Sequence, residues 1–404
     1  MASFGSPSEE RNMTPPATTP SPASAPDLAA GRWASDPWAA YREWRSGGDV
    51  RWSPTHRSWF VFGHGPVCDG LRSTDLRADY PFRATRQALG PTIVDLEGED
   101  HTRLRPPTSS RLSTHHLEHD AKEWLDELVD ERVDAFVDGG GGDVVSGLAI
   151  PVVTAVVAQV LGFPHEDAGW VYDTLAPINR YLDTAAGKLA DADAARSELE
   201  AYLRQVIRSG RMTERGALQL LATSSDDGML SEQEAVSAGI LLLAAGTETS
   251  IGTLSNAVDA LCRFPEQQAR LRSRELSEQR FVKEVLRWEA PMHFSIRHTV
   301  SDVELAGTTI RAGSIVQLCL ASANRDEAVF ADPDRFDPDR PSARILTFGY
   351  GRHACPGTGL AQAEVTAAVR RLVSTTSAIE HAGPSTQAPG LMFRRPLALP
   401  VSVR

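Results

Sequence analysis

Cysteine is scarce. The 404-residue chain has four, Cys68, Cys262, Cys319 and Cys355, and none sits in a CxxC pair. Scattered single cysteines supply neither a zinc ribbon nor a disulfide framework, and they fit a reducing, cytoplasmic setting. Positive charge is short as well. A formal net charge of −12 leaves no basic face for phosphates, which excludes nucleic acid as a partner. The opening stretch is rich in Ser, Pro, Thr and Ala and lacks an apolar block, so neither a signal peptide nor a membrane anchor is expected. Residues 1–27 read as a disordered tail. Val144–Phe163 is apolar, but Ser146, Pro151, Thr154 and Gln159 interrupt it, and a buried helix accounts for it without a membrane. Gly139–Gly142 is followed by no Lys-Ser/Thr and forms no GxGxxG, so it reads as a loop between helices rather than a phosphate cradle.

What is present is an ordinary globular balance, 41% hydrophobic and 23% charged residues. Val50–Trp52 and Trp59–Phe62 alternate around a Ser-Pro-Thr-His turn and read as a hairpin. Glu123–Val137 and Ala194–Ile207 have amphipathic helical spacing. Gln233–Arg263 reads as one long apolar helix, opened by a capping box at Ser231 and Glu234 and closed by Pro265. Strands return at Val303–Leu305, Thr309–Ile310 and Ile315–Leu320, punctuated by Gly307 and Gly313. A last helix is expected just after Cys355. The fold class is therefore mainly α with small peripheral β-sheets, in a single large domain spanning 28–404.

Phe348-Gly349-Tyr350-Gly351-Arg352-His353-Ala354-Cys355-Pro356-Gly357 is the most informative stretch. Its spaced glycines permit a tight turn that a side chain would obstruct. Cys355 precedes the apolar-periodic run Leu360-Ala361-x-x-Glu364-Val365, which places it at a helix N-terminus, where free N–H groups and the helix dipole favour an anion. Pro356 suits the first helical position. A thiolate is the form of cysteine that ligates a metal.

The stretch resembles the FGxGxHxCxG haem-binding loop of the cytochrome P-450 superfamily, in its bacterial, soluble, ferredoxin-dependent class, and every fixed position is met. Pro356 occupies a position that is more often aliphatic in that family. The resemblance implies haem b, iron protoporphyrin IX, with Cys355 as the iron ligand. Cys68, Cys262 and Cys319 read as structural cysteines.

Further motifs follow in the family's order. Glu284-Val285-Leu286-Arg287 resembles its ExxR, and Arg340 in Phe336-Asp337-Pro338-Asp339-Arg340 is the expected third partner in a buried network. Ala245-Gly246-Thr247-Glu248-Thr249 interrupts the long apolar helix with a glycine, an acid and alcohols. By itself the pentapeptide reads equally well as a satisfied polar notch. Gly246 would allow close approach of a flat cofactor or ligand. The resemblance makes Glu248 and Thr249 the catalytic acid–alcohol pair, with Thr249 steadying reduced oxygen and Glu248 relaying protons from solvent. It likewise implies cations for the haem propionates: His101 and Arg105 of an HxxxR, Arg297 and His353. Pro106 and Pro107 directly after Arg105 depart from the family pattern, because proline removes N–H donors and disturbs the residue before it.

The resemblance makes the chain a monooxygenase that hydroxylates, epoxidises or oxidatively couples a small organic substrate in specialised metabolism, acting as a monomer. Cavity-lining segments carry over as Asp79–Leu96, Trp170–Asp183, Ala238–Thr249, Pro291–Ile296 and Leu391–Phe393. They mix apolar side chains with Arg83, Arg86 and His293, which suits an apolar body bearing one or two polar groups. Trp170–Asp183 and Ala194–Ile207 would form a moving lid. Electrons would come from a ferredoxin and its reductase, with Arg103 and Arg352 as contacts for an acidic partner. Two rival readings remain open: a peroxide-driven peroxygenase of the same fold, against which Glu248 and Thr249 speak, and a non-catalytic haem-binding protein, in which a proton relay would lack a purpose.

Overall fold

The computed structural model describes residues 25–28, 33, 36–112, 121–184, 187–388 and 390–404. Residues 1–24 of the expected tail lie outside these. The last part of that tail makes a bond, Ser53 Oγ donating to the Pro26 carbonyl at 2.5 Å, and just after it the Leu28 amide donates to His56 Nε2 at 2.9 Å.

Helices carry most of the chain, and the long helix Glu232–Arg263 runs through the middle of the packing. Its capping box forms as read. The Glu234 amide donates to Ser231 Oγ at 3.2 Å and the Ser231 amide to Glu234 Oε2 at 2.8 Å. At its far end Phe264 caps the last turn and Pro265 starts a separate short helix. At about 1.5 Å per residue the helix spans roughly 48 Å. Among the described residues it is the one helix long and apolar enough to cross a bilayer, and 78% of its most apolar stretch is buried inside the fold. Ala235–Ala244 and Ser250–Val258 are buried without interruption, whereas Ala245, Gly246, Glu248 and Thr249 are not. A helix enclosed on both sides of a half-open notch lines a cleft there.

Around it pack Lys122–Asp138, Ile150–Leu161, Ala168–Thr184, Leu189–Ser209, Glu278–Trp288 and Thr358–Thr375, which bury Leu, Val, Ile and Ala side chains in one continuous core. Val144–Phe163 is a buried helix, entered through a wide π-type turn at Val145–Ala149.

The main sheet has five strands in the order Val50–Ser53, Ser58–Val61, Ile315–Cys319, Phe294–Thr299, Leu76–Arg77. The expected hairpin is its edge, in the register Val50↔Val61 and Trp52↔Trp59. Ile315–Cys319 pairs parallel to the hairpin and antiparallel to Phe294–Thr299. One sequence reading is corrected here. The glycine run is not merely a loop: Gly141–Asp143 is a strand paired with Pro400–Val403, which also pairs with Ile379–His381. Gly141 has φ +98°, and a Cβ there would stand 2.5 Å from the Val401 carbonyl oxygen, so only a bare backbone fits.

Candidate functional site

Cys355 ends a loop that its glycines make possible. Gly349 and Gly351 adopt φ of +68° and +79°, and a Cβ on Gly351 would lie 2.9 Å from the Leu71 carbonyl oxygen. The Cys355 amide closes the turn by donating to the Phe348 carbonyl at 2.8 Å. The following helix starts at Thr358 with Gly357 as its cap, so Pro356 precedes the cap instead of filling the first helical position. The sulfur still faces the helix entrance. Burial pushes the Cys355 thiol up, while the Gly357 amide, the Arg105 charge and the Thr358 hydroxyl pull the other way. The Gly357 amide at the helix entrance is thus one of the groups that favour the thiolate, as read from the sequence, while burial is the larger effect. A metal ion held by Cys355 would supply the remaining stabilisation, because a coordinating thiol is deprotonated outright. Although hemmed in by protein, Cys355 is exposed on one side, as befits a side chain that lines a cleft.

The four expected propionate cations come from three parts of the chain. His101 and Arg105 lie on Gly98–Ser109, Arg297 on the strand Phe294–Thr299 and His353 in the cysteine loop. Pro106 and Pro107 sit inside that helix without ending it. The carbonyls that lose donors, Thr102 and Arg103, lie on its exposed face, and the hydroxyls of Thr108 and Ser109 donate back to Leu104 and Arg105 at 2.8 and 2.7 Å. Arg105 therefore points inward, and its guanidinium donates to the Ala354 carbonyl beside Cys355 at 2.5 Å.

These groups leave polar atoms without partners among the described residues. His101 Nε2 and His353 Nδ1 are buried without a protein partner. Arg297 is buried, donates to Ser295 Oγ and the Ile296 carbonyl, both at 2.9 Å, and pairs with no carboxylate among the described residues. Burial and the nearby Arg83 hold it down to about 9. His101 falls to about 4 through burial and the charges of His353 and Arg105. A buried arginine without a carboxylate and buried imidazole nitrogens without partners are costly unless a ligand supplies acceptors. A flat cofactor bearing carboxylates, held by a cysteine sulfur, fits this donor set.

Glu97, which the sequence reading missed, organises the edge of the cleft. It accepts from His353 Nε2 at 3.0 Å, Arg352 Nε at 2.6 Å and the Ala78 amide at 2.9 Å. Burial opposes its charge, yet those donors bring it down to about 2. Its only sequence signal is its place just before the helix of His101.

On the long helix, Thr249 Oγ1 donates to the Ala245 carbonyl at 3.0 Å. Glu248 accepts from Asn179 Nδ2 at 3.2 Å and from Arg395 Nε at 2.8 Å, two more residues that no motif marks. Gly246 also serves the packing: a Cβ there would stand 3.2 Å from Val157 Cγ2, so its bare backbone admits the neighbouring helix Ile150–Leu161.

The supporting network is built as expected, with one refinement. Arg287 and Glu284 form a buried two-pronged pair, Nε to Oε2 at 2.8 Å and a terminal nitrogen to Oε1 at 2.7 Å. Arg340 approaches Glu284 at 3.6 Å and spends its hydrogen bonds on the carbonyls of Ala331, Asp332 and Arg335. Three polar residues of the expected cavity segments are committed elsewhere. Arg83 ion-pairs with the buried Asp95 at 3.1 Å, and Arg86 donates to the Asp95 carbonyl. His293 faces away, its Nδ1 2.7 Å from Tyr41 Oη among Trp33, Trp38 and Phe294. Arg103 and Arg352, expected at a partner surface, are already neutralised by Glu234 with Asp100 and by Glu97, respectively.

A sequence model of the cytochrome P450 family matches residues 163–384. The chain is 32% identical to cytochrome P450 monooxygenase PikC of Streptomyces venezuelae, over 84% of each chain. It is 31% identical to vitamin D(3) 25-hydroxylase of Pseudonocardia autotrophica, over 86% of this chain and 88% of that one. Among solved structures it superposes on CalO2 with a TM-score of 0.88 and 27% identity, covering 94% of this chain and 99% of that one. P450BioI, solved with an acyl carrier protein bearing a fatty acid, superposes with a TM-score of 0.85 and 27% identity over 93% and 100%. The chain belongs to the cytochrome P450 family and is a P450 monooxygenase that takes haem as its cofactor.

Proposed function

We propose that the chain binds haem b through the Cys355 thiolate and oxidises a small organic substrate of specialised metabolism, drawing electrons from a ferredoxin and its reductase. Thiolate-ligated haem supplies oxygen activation, since the sulfur's electron donation favours O–O cleavage. Overall, substrate C–H, O₂, two electrons and two protons give substrate C–OH and water. The protein's own tasks are to grip the cofactor, orient the substrate and deliver the protons.

The grip is assigned to Cys355 beneath and to His101, Arg105, Arg297 and His353 at the rim. The observation that carries it is the pair of nitrogens on His101 and His353 without partners, beside a buried Arg297 without a carboxylate, among the described residues. The proton task is assigned to Glu248 and Thr249. Their support is position: they occupy the one half-open notch of an otherwise enclosed helix. The Thr249 hydroxyl is held by the Ala245 carbonyl and keeps its lone pairs as acceptors. Glu248 touches groups on two other elements and can take water on its remaining lone pairs.

Ile93, Val94 and Met292 are the apolar groups assigned to the substrate side, and the helix Ala168–Thr184 is the assigned lid. Arg103 and Arg352 remain the proposed contacts for ferredoxin; both are ion-paired within the chain, to Glu234 with Asp100 and to Glu97. The free cysteines support a cytoplasmic protein. Titrating the haem-loaded protein with a library of small apolar molecules, then supplying ferredoxin, reductase and NADPH to those that shift the haem spectrum, tests the proposal. An oxygenated product is expected. Spectral binding with no product from any binder would argue for a haem carrier instead.

A further inference from the structure

Arg395 belongs to no motif, yet the fold delivers it to the acid of the long helix. Its Nε donates to Glu248 Oε2 at 2.8 Å, and the two side chains are 13% and 11% exposed. Three features set up this meeting. Gly252 follows Glu248 by one helical turn, on the same face, and a Cβ there would stand 3.2 Å from Arg395 Cβ and 3.3 Å from Pro291 Cβ. A bare backbone at Gly252 is what lets the C-terminal segment lie so close. Asp183, at the end of the lid helix Ala168–Thr184, accepts the amides of Met392 and Phe393 at 2.9 and 2.8 Å and so seats the loop that leads to Arg395. A Cβ on Gly390 would collide with the same carboxylate, so that glycine keeps the seat open. Asn179, one turn before Asp183, donates to the other Glu248 oxygen at 3.2 Å.

Both oxygens of Glu248 are thus held from outside its own helix, one by the C-terminal segment and one by the lid. An unheld glutamate samples several rotamers. A charge-assisted bond at 2.8 Å to a guanidinium, itself fixed by Gly252 and the seated loop, selects one of them. We propose that Arg395 is the positioning residue of the proton relay: with Asn179 it fixes the Glu248 carboxylate at the seam of long helix, lid helix and C-terminal loop, so the relay is assembled when the lid is down. The proposal rests on reading Glu248 as the relay acid.

The test compares Arg395→Gln, Arg395→Lys and Glu248→Gln in the haem-loaded protein with its reductants and a turned-over substrate. Turnover in Arg395→Gln should fall roughly tenfold, a part of the ~100-fold or more that acid–base groups contribute. KM should stay unchanged and the solvent deuterium isotope effect should rise. Arg395→Lys, which keeps a cation, should recover most of the turnover. Amide hydrogen exchange at Met392 and Phe393 should remain slow in Arg395→Gln, showing that the loop is still seated by Asp183. Full turnover and an unchanged isotope effect in Arg395→Gln, with both altered in Glu248→Gln, would overturn the positioning role and leave the relay standing. Unchanged behaviour in Glu248→Gln as well would remove the relay and this inference with it. Faster exchange at Met392 and Phe393 together with a raised KM would make Arg395 a structural tie only, and would also overturn the proposal.

Discussion

The imidazoles of His101 and His353 lie 4.6 Å apart with their planes at 59°, and each leaves one buried nitrogen without a protein partner. Two rings so far apart in sequence meet because the helix Gly98–Ser109 and the cysteine loop flank the same cleft. Glu97 ties them together by accepting from the other nitrogen of His353.

Removing a rim donor should loosen the cofactor more than the fold. Arg297→Leu and His101→Ala should each speed haem transfer to an apoprotein acceptor by about 10- to 100-fold, the equivalent of one charged hydrogen bond of roughly 1.5–3 kcal/mol. Stopped-flow transfer kinetics measure this. Parental rates in both variants would mean that the cofactor's carboxylates lie elsewhere.

Thr249→Ala should uncouple reductant consumption from product. The product formed per NADPH oxidised should fall, with substrate affinity retained. Unchanged coupling would remove Thr249 from the relay.

Glu364 gives a pH prediction. It is buried on Thr358–Thr375, one oxygen lacks a partner, and burial raises it from 4.5 to about 8, with Ser250 opposing. The folded state keeps the proton that the unfolded state releases, so stability falls as pH rises from 4.5 to about 8. Glu364→Gln should match the parent in acid and exceed it in alkali when urea midpoints are compared. A parallel pH dependence of the two proteins would contradict this.

The Glu284–Arg287 pair should dominate its network. Arg287→Met strands a buried carboxylate and should cost roughly 3–5 kcal/mol. Arg340→Met should cost less, because Arg340 stands 3.6 Å from Glu284 and mainly binds carbonyls. Denaturant unfolding of both variants ranks them, and the reverse order would refute the assignment.

The long helix and the hairpin were legible because their signals are local: a capping box, a closing proline, alternation around a turn. The cysteine loop was legible because its glycines carry backbone conformations that few other residues adopt. What escaped was set by distant partners. Gly141 is explained by Val401, Arg395 by Glu248 and Gly252, and Glu97 by His353, none of which local periodicity can reveal. Pro106 and Pro107 misled in the other direction, since their lost hydrogen bonds fall on a solvent-facing side. His293 lay in an expected cavity segment, but its bond to Tyr41, just before the strand Phe294–Thr299, holds it in the aromatic cluster.

Ligation by Cys355 is the claim on which the rest depends, and the absorption spectrum of the reduced, carbon monoxide-treated protein tests it most directly. The account predicts the red-shifted Soret band of thiolate ligation in the parent chain and its loss in Cys355→Ser. A parent spectrum with the band of a nitrogen-ligated haem, or a Cys355→Ser variant that keeps the thiolate band, would contradict it.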